Sequence, residues 1–347
     1  MPSLNVLADD PSFQKTSLYR AFKKRPLGFI DAGAAGDVHP LVMPVASLVH
    51  CTCFEPDREA YEKLFRRFQE IDIFAKLTLF DIALGKGQAN AILYVTKSPV
   101  NSSLLKPRKM IADRYGNKGF NLEKEAIVRT ESLDTVVFKS GENGERPGEF
   151  IKLDCQGAEY DILRGGLSTL REQCVALWCE VEFFRMYEDQ KTFSELDIFL
   201  NERGFRLYGL YPNYVSTKRL DRRRFETEER IVWADALYFK DPLTEANKGR
   251  TFTQREMDVL LLTAILTEYY DFALELIASF YDSNEDRELL VNLVVELSAN
   301  RQKLFSSDLA RLISACQESP AKAYLLAKKF IDNHVSNSNV HFINVEE

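Results

Sequence analysis

Histidine and cysteine are scarce in this chain, four and six among 347 residues, and their spacing leaves no zinc site to assemble. His39, His50, His334 and His341 are scattered, and Cys51, Cys53, Cys155, Cys174, Cys179 and Cys316 contain no Cys-x2-Cys pair. His50-Cys51-Thr52-Cys53 is the one tempting cluster, but the strand period of two points both sulfurs to one sheet face, which reads as packing. The cysteines are taken as small buried side chains in a reducing compartment. A surplus of positive charge is missing too: 45 Lys and Arg stand against 52 Asp and Glu, the net charge is -7 and the pI is near 5.4. That balance lacks the broad basic field of a nucleic-acid binder, and no nucleic-acid partner is expected. No run approaches the ~20 apolar residues of a membrane span, and residues 1–10 have neither the basic start nor the apolar core of a leader. A cytoplasmic location without a membrane span is the expectation.

What is present is a 45% hydrophobic chain, long enough for one large or two ordinary domains. Its central stretch is Leu27-Gly28-Phe29-Ile30-Asp31-Ala32-Gly33-Ala34-Ala35-Gly36, an apolar strand running into an Asp and then a loop of Gly and Ala. Without side chains, such a loop lets backbone approach a ligand closely. Asp31 stands where a pyrophosphate loop has its first Gly, and a carboxylate there repels phosphate while accepting from an ammonium or hydroxyl. The loop, with Asp31, Gly33, Ala34 and Gly36, therefore suits S-adenosylmethionine better than a nicotinamide dinucleotide. His39 follows just beyond it and is a candidate for the reaction centre, although a His beside a turn also serves as a local hydrogen-bonding residue.

Residues 10–24 predict a short covering helix, and 41–49 begin a crossover helix made short or irregular by Pro44. A second strand ends in Glu55, about twenty residues after the Gly loop, where a doubly wound sheet places an acid to hold two ribose hydroxyls. Residues 58–70 are amphipathic. Lys76 to Phe80 form the next strand, ending at Asp81, which could accept from an adenine amino group or simply form a turn. Residues 98–121 are polar and without firm period, the expected place for substrate contacts. Lys106, Arg108, Lys109 and Arg114 there could meet an anionic or sugar-phosphate substrate, or be a solvated charge run.

The second informative stretch is 150–166. An apolar strand ends in Asp154, a Gly turn follows, and a helix stops at Gly165-Gly166. Lys152 and Asp154 share a face, and Asp154 joins Asp31 and Glu55 on the carboxyl edge of the sheet. A further strand, 175–183, carries Glu180 and Glu182 on one face, a costly arrangement in apolar text unless a partner meets them. A helix at 192–203 and strands at 205–211 and 231–240 complete the pattern.

These stretches together resemble the FkbM-type S-adenosylmethionine-dependent methyltransferases. The matching text is Phe29-Ile30-Asp31-Ala32-Gly33-Ala34, Phe54-Glu55-Pro56-Asp57 and Ser132-Leu133-Asp134, then Ile151 to Asp154 and Gln156-Gly157-Ala158-Glu159. It continues through Glu182-Phe183, Tyr187, Phe193, Leu200 and Gly204-Phe205 to Ala234-Asp235-Ala236-Leu237-Tyr238. The resemblance covers roughly residues 25 to 240 and implies a class I methyltransferase fold, an α/β Rossmann-like seven-stranded sheet with helices on both faces. It also implies O-methylation of a sugar, glycan or secondary-metabolite hydroxyl. By matching position, Asp31 and Gly33 shape the cofactor loop, Glu55 takes the ribose, and Asp154 lies near the methyl group. Ala35, Gly36 and Asp37 depart from the Asn then Gly that many members carry.

Methyl transfer needs alignment of oxygen, methyl carbon and sulfur, and an alcohol acceptor must lose a proton. Asp154 is the expected base, with His39 or Glu182 as alternatives. A divalent metal such as magnesium on Asp154 and Glu182 is possible by ligand chemistry, although two ligands on separate strands give it little support. The domains expected are 1–243 for the methyltransferase, 244–335 for an all-helical bundle offering a surface for self-association or partner docking, and a poorly ordered tail at 336–347. The helical blocks are placed at 252–270, 272–281, 288–297, 307–316 and 321–331. The competing reading is a catalytically degenerate methyltransferase fold serving binding or assembly.

Overall fold

The computed structural model describes residues 4–33, 38–69, 72–139, 146–215, 230–282 and 284–335. Ten strands are present among them: β1 (Leu27–Ala32), β2 (Val49–Phe54), β3 (Lys76–Phe80), β4 (Ala83–Gly85), β5 (Ala89–Thr96), β6 (Leu122–Ser132), β7 (Phe150–Leu153), β8 (Ala176–Glu182), β9 (Arg206–Val215) and β10 (Arg230–Phe239). Seven form one sheet in the order β3-β2-β1-β7-β8-β10-β9. β7 is parallel to β1 and β8, β2 is parallel to β3, and β10 runs antiparallel to both neighbours. This is the class I methyltransferase arrangement of a mostly parallel sheet with helices. β4, β6 and β5 pair as a separate three-stranded sheet.

The continuous apolar text of β7 and β8 follows from burial on both faces: every residue of each is buried. Strand order reverses between β1 and β7, where one direction of winding leads to β2 and β3 and the other to β8. Loops leaving the two strands diverge there and open a crevice at their carboxyl ends, where ligands of such sheets bind. Gly33 holds that crevice close. Its φ is 87°, and a Cβ on it would lie 1.8 Å from the Asp154 carbonyl oxygen, so the β1 and β7 exits approach at a distance only glycine allows.

The chain groups into two compact units. One comprises Leu27–Val38 and His50–Phe252; the other comprises Met1–Pro26, His39–Val49 and Thr253–Glu347. The C-terminal part of the helical unit thus begins at Thr253, not at 244, and the unit also takes in two earlier segments. Sequence-remote bonds hold the additions: Asn5 N–H donates to Met43 O at 2.9 Å, Ser17 N–H to Asp286 at 2.7 Å, and Arg255 to the carbonyls of Arg25 and Pro26. Local periodicity carries no trace of such pairings.

Several elements differ from expectation. The helix at 10–24 is two, Pro11–Gln14 and Ser17–Lys24, because Thr16 turns its hydroxyl back to cap the second. The crossover at 41–49 is a 3-10 helix, Pro40–Leu48, with Val45 outside helical geometry just after Pro44. Residues 98–121 contain the helix Lys109–Tyr115 and two 3-10 turns. The blocks at 288–297 and 307–316 are parts of one helix, Asn284–Glu318, flanked by Tyr270–Phe280 and Ala323–Val335. The tail at 336–347 lies outside the described residues, within which no helix is long and apolar enough to cross a membrane.

Candidate active site

β1 and β7 bring Asp31 and Lys152 side by side, because both side chains leave their strands on the same face and the residues are in register. Lys152 Nζ lies 3.1 Å from Asp31 Oδ1 and 3.7 Å from Asp154 Oδ2, and donates to Gly33 O at 3.2 Å. Burial works against the lysine's charge, but the carboxylates of Asp31 and then Asp154 outweigh it and hold Lys152 above its ordinary value. Asp31 is fully buried. Asp31 thus has an ammonium of this chain, Lys152, against it.

Beyond β7 the chain turns sharply. Gln156 adopts φ 55°, a left-handed conformation that costs a non-glycine residue about 1–2 kcal/mol. The turn aims its amide at two acids: Nε2 donates to Asp154 Oδ1 at 2.8 Å and to Glu180 Oε2 at 2.7 Å. Its carbonyl accepts from the Tyr187 hydroxyl at 3.2 Å, and the same hydroxyl reaches Asn101 O at 2.9 Å. Gly157, at φ 92°, leaves room for this set, since a Cβ there would meet Gln190 Nε2 at 2.6 Å.

Behind Asp154 lies a concentration of buried carboxyls. Burial, then Asp154, pushes Glu180 well above the carboxylate range; burial, then Glu159 and Asp154, does the same to Glu182. Glu159 rises to about 7, chiefly by burial, although the Cys155 N–H donates to it at 2.6 Å. Asp235, opposite Glu180 on β10, rises to about 6 by burial and the charge of Asp154. Gln190 faces Glu182 without closing a hydrogen bond: Glu182 Oε1 and Gln190 Nε2 are buried and lack partners among the described residues. Gln190 Oε1 meanwhile accepts from the backbone of Met186 and Tyr187. No group of three or more metal-type ligands arranged around a metal position occurs among the described residues. In contrast to the buried acids, the Asp154 side chain is 39% exposed.

On the other side of the crevice, Glu55 follows β2 and is buried to 8% exposure. One oxygen accepts from the Asp57 N–H at 2.8 Å; the other has no hydrogen bond among the described residues. Burial raises this carboxyl to about 7. A single acid with an open oxygen, beside a glycine exit, has the chemistry to take vicinal hydroxyls. Asp81 beyond β3 is exposed and receives Arg129 at 2.7 Å. His39 caps the 3-10 helix, accepting at Nδ1 from Leu41 N–H at 3.4 Å, and belongs to the helical unit. Ala34 and Gly36, together with Ala35 and Asp37 of the altered loop, lie outside the described residues.

The sequence placed Asp31, Glu55, Asp154 and Glu182 at the ends of their strands, and the structure brings Asp154 and Glu182 into one acidic network. Glu159, Gln156 and Tyr187 stood in the recognisable text without an assigned part. Gln190 gave no signal, because a polar residue in a surface-like stretch looks the same whether its side chain turns in or out.

Residues 38–207 match the family model of the Methyltransferase FkbM domain. Among solved structures, the chain is similar to the methyltransferase FkbM of Methylobacillus flagellatus KT, with 16% identity and a TM-score of 0.35 over 62% of this chain and 43% of that one. The chain thus spans less than half of that protein. It is also similar to the tRNA methyltransferase TrmK of B. subtilis, with 9% identity and a TM-score of 0.30 over 82% and 98% of the two chains. Likenesses of this depth bear on neither substrate nor residue roles. No curated protein matches the chain.

Proposed function

We propose, for a methyltransferase chain that carries an FkbM domain, O-methylation of a hydroxyl on a small, sugar-like acceptor, with S-adenosylmethionine as methyl donor. The observation that carries this reading is the Gln156 bridge, which fixes a half-exposed Asp154 against the buried Glu180 at the mouth of the switch-point crevice. The residues present fit the cofactor. Glu55 would hold the ribose hydroxyls, the Gly33 exit would face the amino-acid portion, and Asp81 would stand at the adenine end. When bound, the sulfonium supplies an electrophilic methyl carbon.

The chain's own part is positioning and proton handling. Asp154 accepts the hydrogen of the acceptor hydroxyl and takes its proton as the oxygen attacks, a role that geometry and exposure both suit. Lys152 and the Gln156 amide hold its two oxygens, so that one rotamer is presented. Glu180 and Glu182, kept neutral by burial, are donors and not bases. His39 spends a ring nitrogen on its cap, which leaves Asp154 as the better base.

The test is transfer of a labelled methyl group to a panel of polyols and glycosides, with S-adenosylhomocysteine binding measured alongside. Asp154→Asn is expected to lower kcat by roughly 10²–10⁴ while leaving S-adenosylhomocysteine affinity within about two-fold. Full turnover in that variant would exclude Asp154 as the base. Absence of S-adenosylhomocysteine binding to the wild-type protein would remove the methyltransfer reading for this chain.

A further inference from the structure

The segments beside the Gln156 network carry several arginines that form no ion pair among the described residues. Residues 105–120 are tied to the stretch after β8 by main-chain bonds: Arg108 N–H donates to Met186 O at 2.9 Å, and Glu188 N–H donates to Lys106 O at 2.8 Å. An apolar patch of Ile111, Phe120, Met186, Tyr187 and Val232 lies beneath. Because β10 is antiparallel to β8, with Trp233 opposite Glu182, its first residue, Arg230, falls at the edge where β8 ends.

Aromatic rings organise these cations. Arg230 donates to the Tyr115 hydroxyl at 2.7 Å and lies over the Phe184 ring at 4.0 Å, while Arg114 lies 5.6 Å from the centre of the Tyr115 ring. Arg108 reaches the Arg185 carbonyl at 3.4 Å. Other arginines of this unit meet acids, Arg129 with Asp81, Arg171 with Glu172 and Arg203 with Glu202, while Arg146 lies over the Phe138 ring. Arg108, Arg114, Arg185 and Arg230 form no ion pair among the described residues, although Asp113 and Glu188 stand in the same segments. In a chain of net charge -7, Arg108, Arg114 and Arg230 thus stand near the acidic edge without an ion pair among the described residues, while Arg185 acts on the Glu195 carboxylate. Rings restrain a guanidinium without cancelling its charge, so its donor fork stays available to an oxyanion.

We infer that this edge is an anion subsite, and that the methyl acceptor carries a phosphate, as a sugar phosphate does, gripped by Arg114 and Arg230 while its hydroxyl faces Asp154. The inference rests on the methyltransfer reading for its purpose but not for its geometry. A phosphate suits guanidinium forks better than it suits Asp154 and Glu182, which repel it, so the acceptor is oriented by attraction at one end and repulsion at the other.

The experiment uses the full chain, titrated separately with inorganic pyrophosphate and with S-adenosylhomocysteine, and compares wild type with Arg114→Gln, Arg230→Gln and the control Lys63→Gln. Pyrophosphate affinity should fall at least five-fold in each arginine variant and stay within two-fold in the control, with S-adenosylhomocysteine affinity unchanged throughout. Equal pyrophosphate affinity in all four proteins, or none in wild type, overturns the anion subsite. A single-stranded RNA oligomer whose affinity rises with length and exceeds that of pyrophosphate overturns the small phosphorylated acceptor in favour of RNA. Loss of S-adenosylhomocysteine binding with the arginine effect intact defeats the methyltransfer reading alone.

Discussion

Asp258 in the helical unit and Glu182 at the sheet edge are both buried acids held above the ordinary carboxylate range, with burial the largest cause in each. Asp258 has local partners: its Oδ1 accepts from Gln254 at 2.9 Å and from the Tyr281 hydroxyl at 2.8 Å. Glu182 has Gln190 beside it, yet its Oε1 and the Gln190 Nε2 make no hydrogen bond of ordinary geometry among the described residues, while the Gln190 oxygen is taken by the Met186 and Tyr187 backbone. The same unfavourable burial has been settled locally in one place and left open in the other. A buried polar atom without a partner costs about 1–3 kcal/mol, so a group that closed on Glu182 would recover part of that cost.

The largest test of that contrast is Lys152→Met. It leaves Asp31 buried without its cation, and urea unfolding should show a loss of about 3–5 kcal/mol. Asp258→Leu comes next, because it strands Tyr281 and Gln254 and should cost about 2 kcal/mol without affecting methyl transfer. If it abolished transfer at unchanged fold, the division between a closed and an open acid would fail.

Glu55 sharpens the comparison from the cofactor side. With its carboxyl at about 7 in the free protein, S-adenosylhomocysteine affinity should rise up to about ten-fold between pH 6 and pH 8 as the accepting, ionised form takes over. Glu55→Gln should bind more weakly and lose that slope. Smallest is Glu182→Gln, which replaces a neutral acid by a neutral amide and should move stability by less than about 1 kcal/mol while slowing turnover. The buried acids also set the wild-type pH response. Glu159 and Asp235 keep protons up to about 7 and about 6 that the unfolded chain releases near its ordinary carboxylate range. The folded state therefore binds more protons in that window, and this contribution to stability falls as pH rises through it.

The sheet was legible because strands buried on both faces write continuous apolar text and end on a single acid; Asp31, Glu55 and Asp154 each stood out in that way. Glu180 and Glu182 were legible as an expense, two acids in the apolar text of β8. The network joining them was not, since it depends on Gln156 taking a left-handed turn and on Tyr187 and Gln190 arriving from beyond β8. Arg230 joins Tyr115 across 115 residues, a pairing that only topology creates. In the helical unit, the polar run at 300–303 hid the continuity of Asn284–Glu318, because a helix covered on one side alone needs no apolar residue at every turn.

The pairing of β1 with β7 also sets an order of events in folding. Asp31 is synthesised long before Lys152, and a nascent chain that has emerged only through β6 holds the glycine exit and Glu55 but has no charge to place against Asp31. Closing the intervening loop comes late, as non-local contacts do. A translation product halted before β7 should therefore not be protected by S-adenosylhomocysteine against proteolysis, however well its first strands have formed.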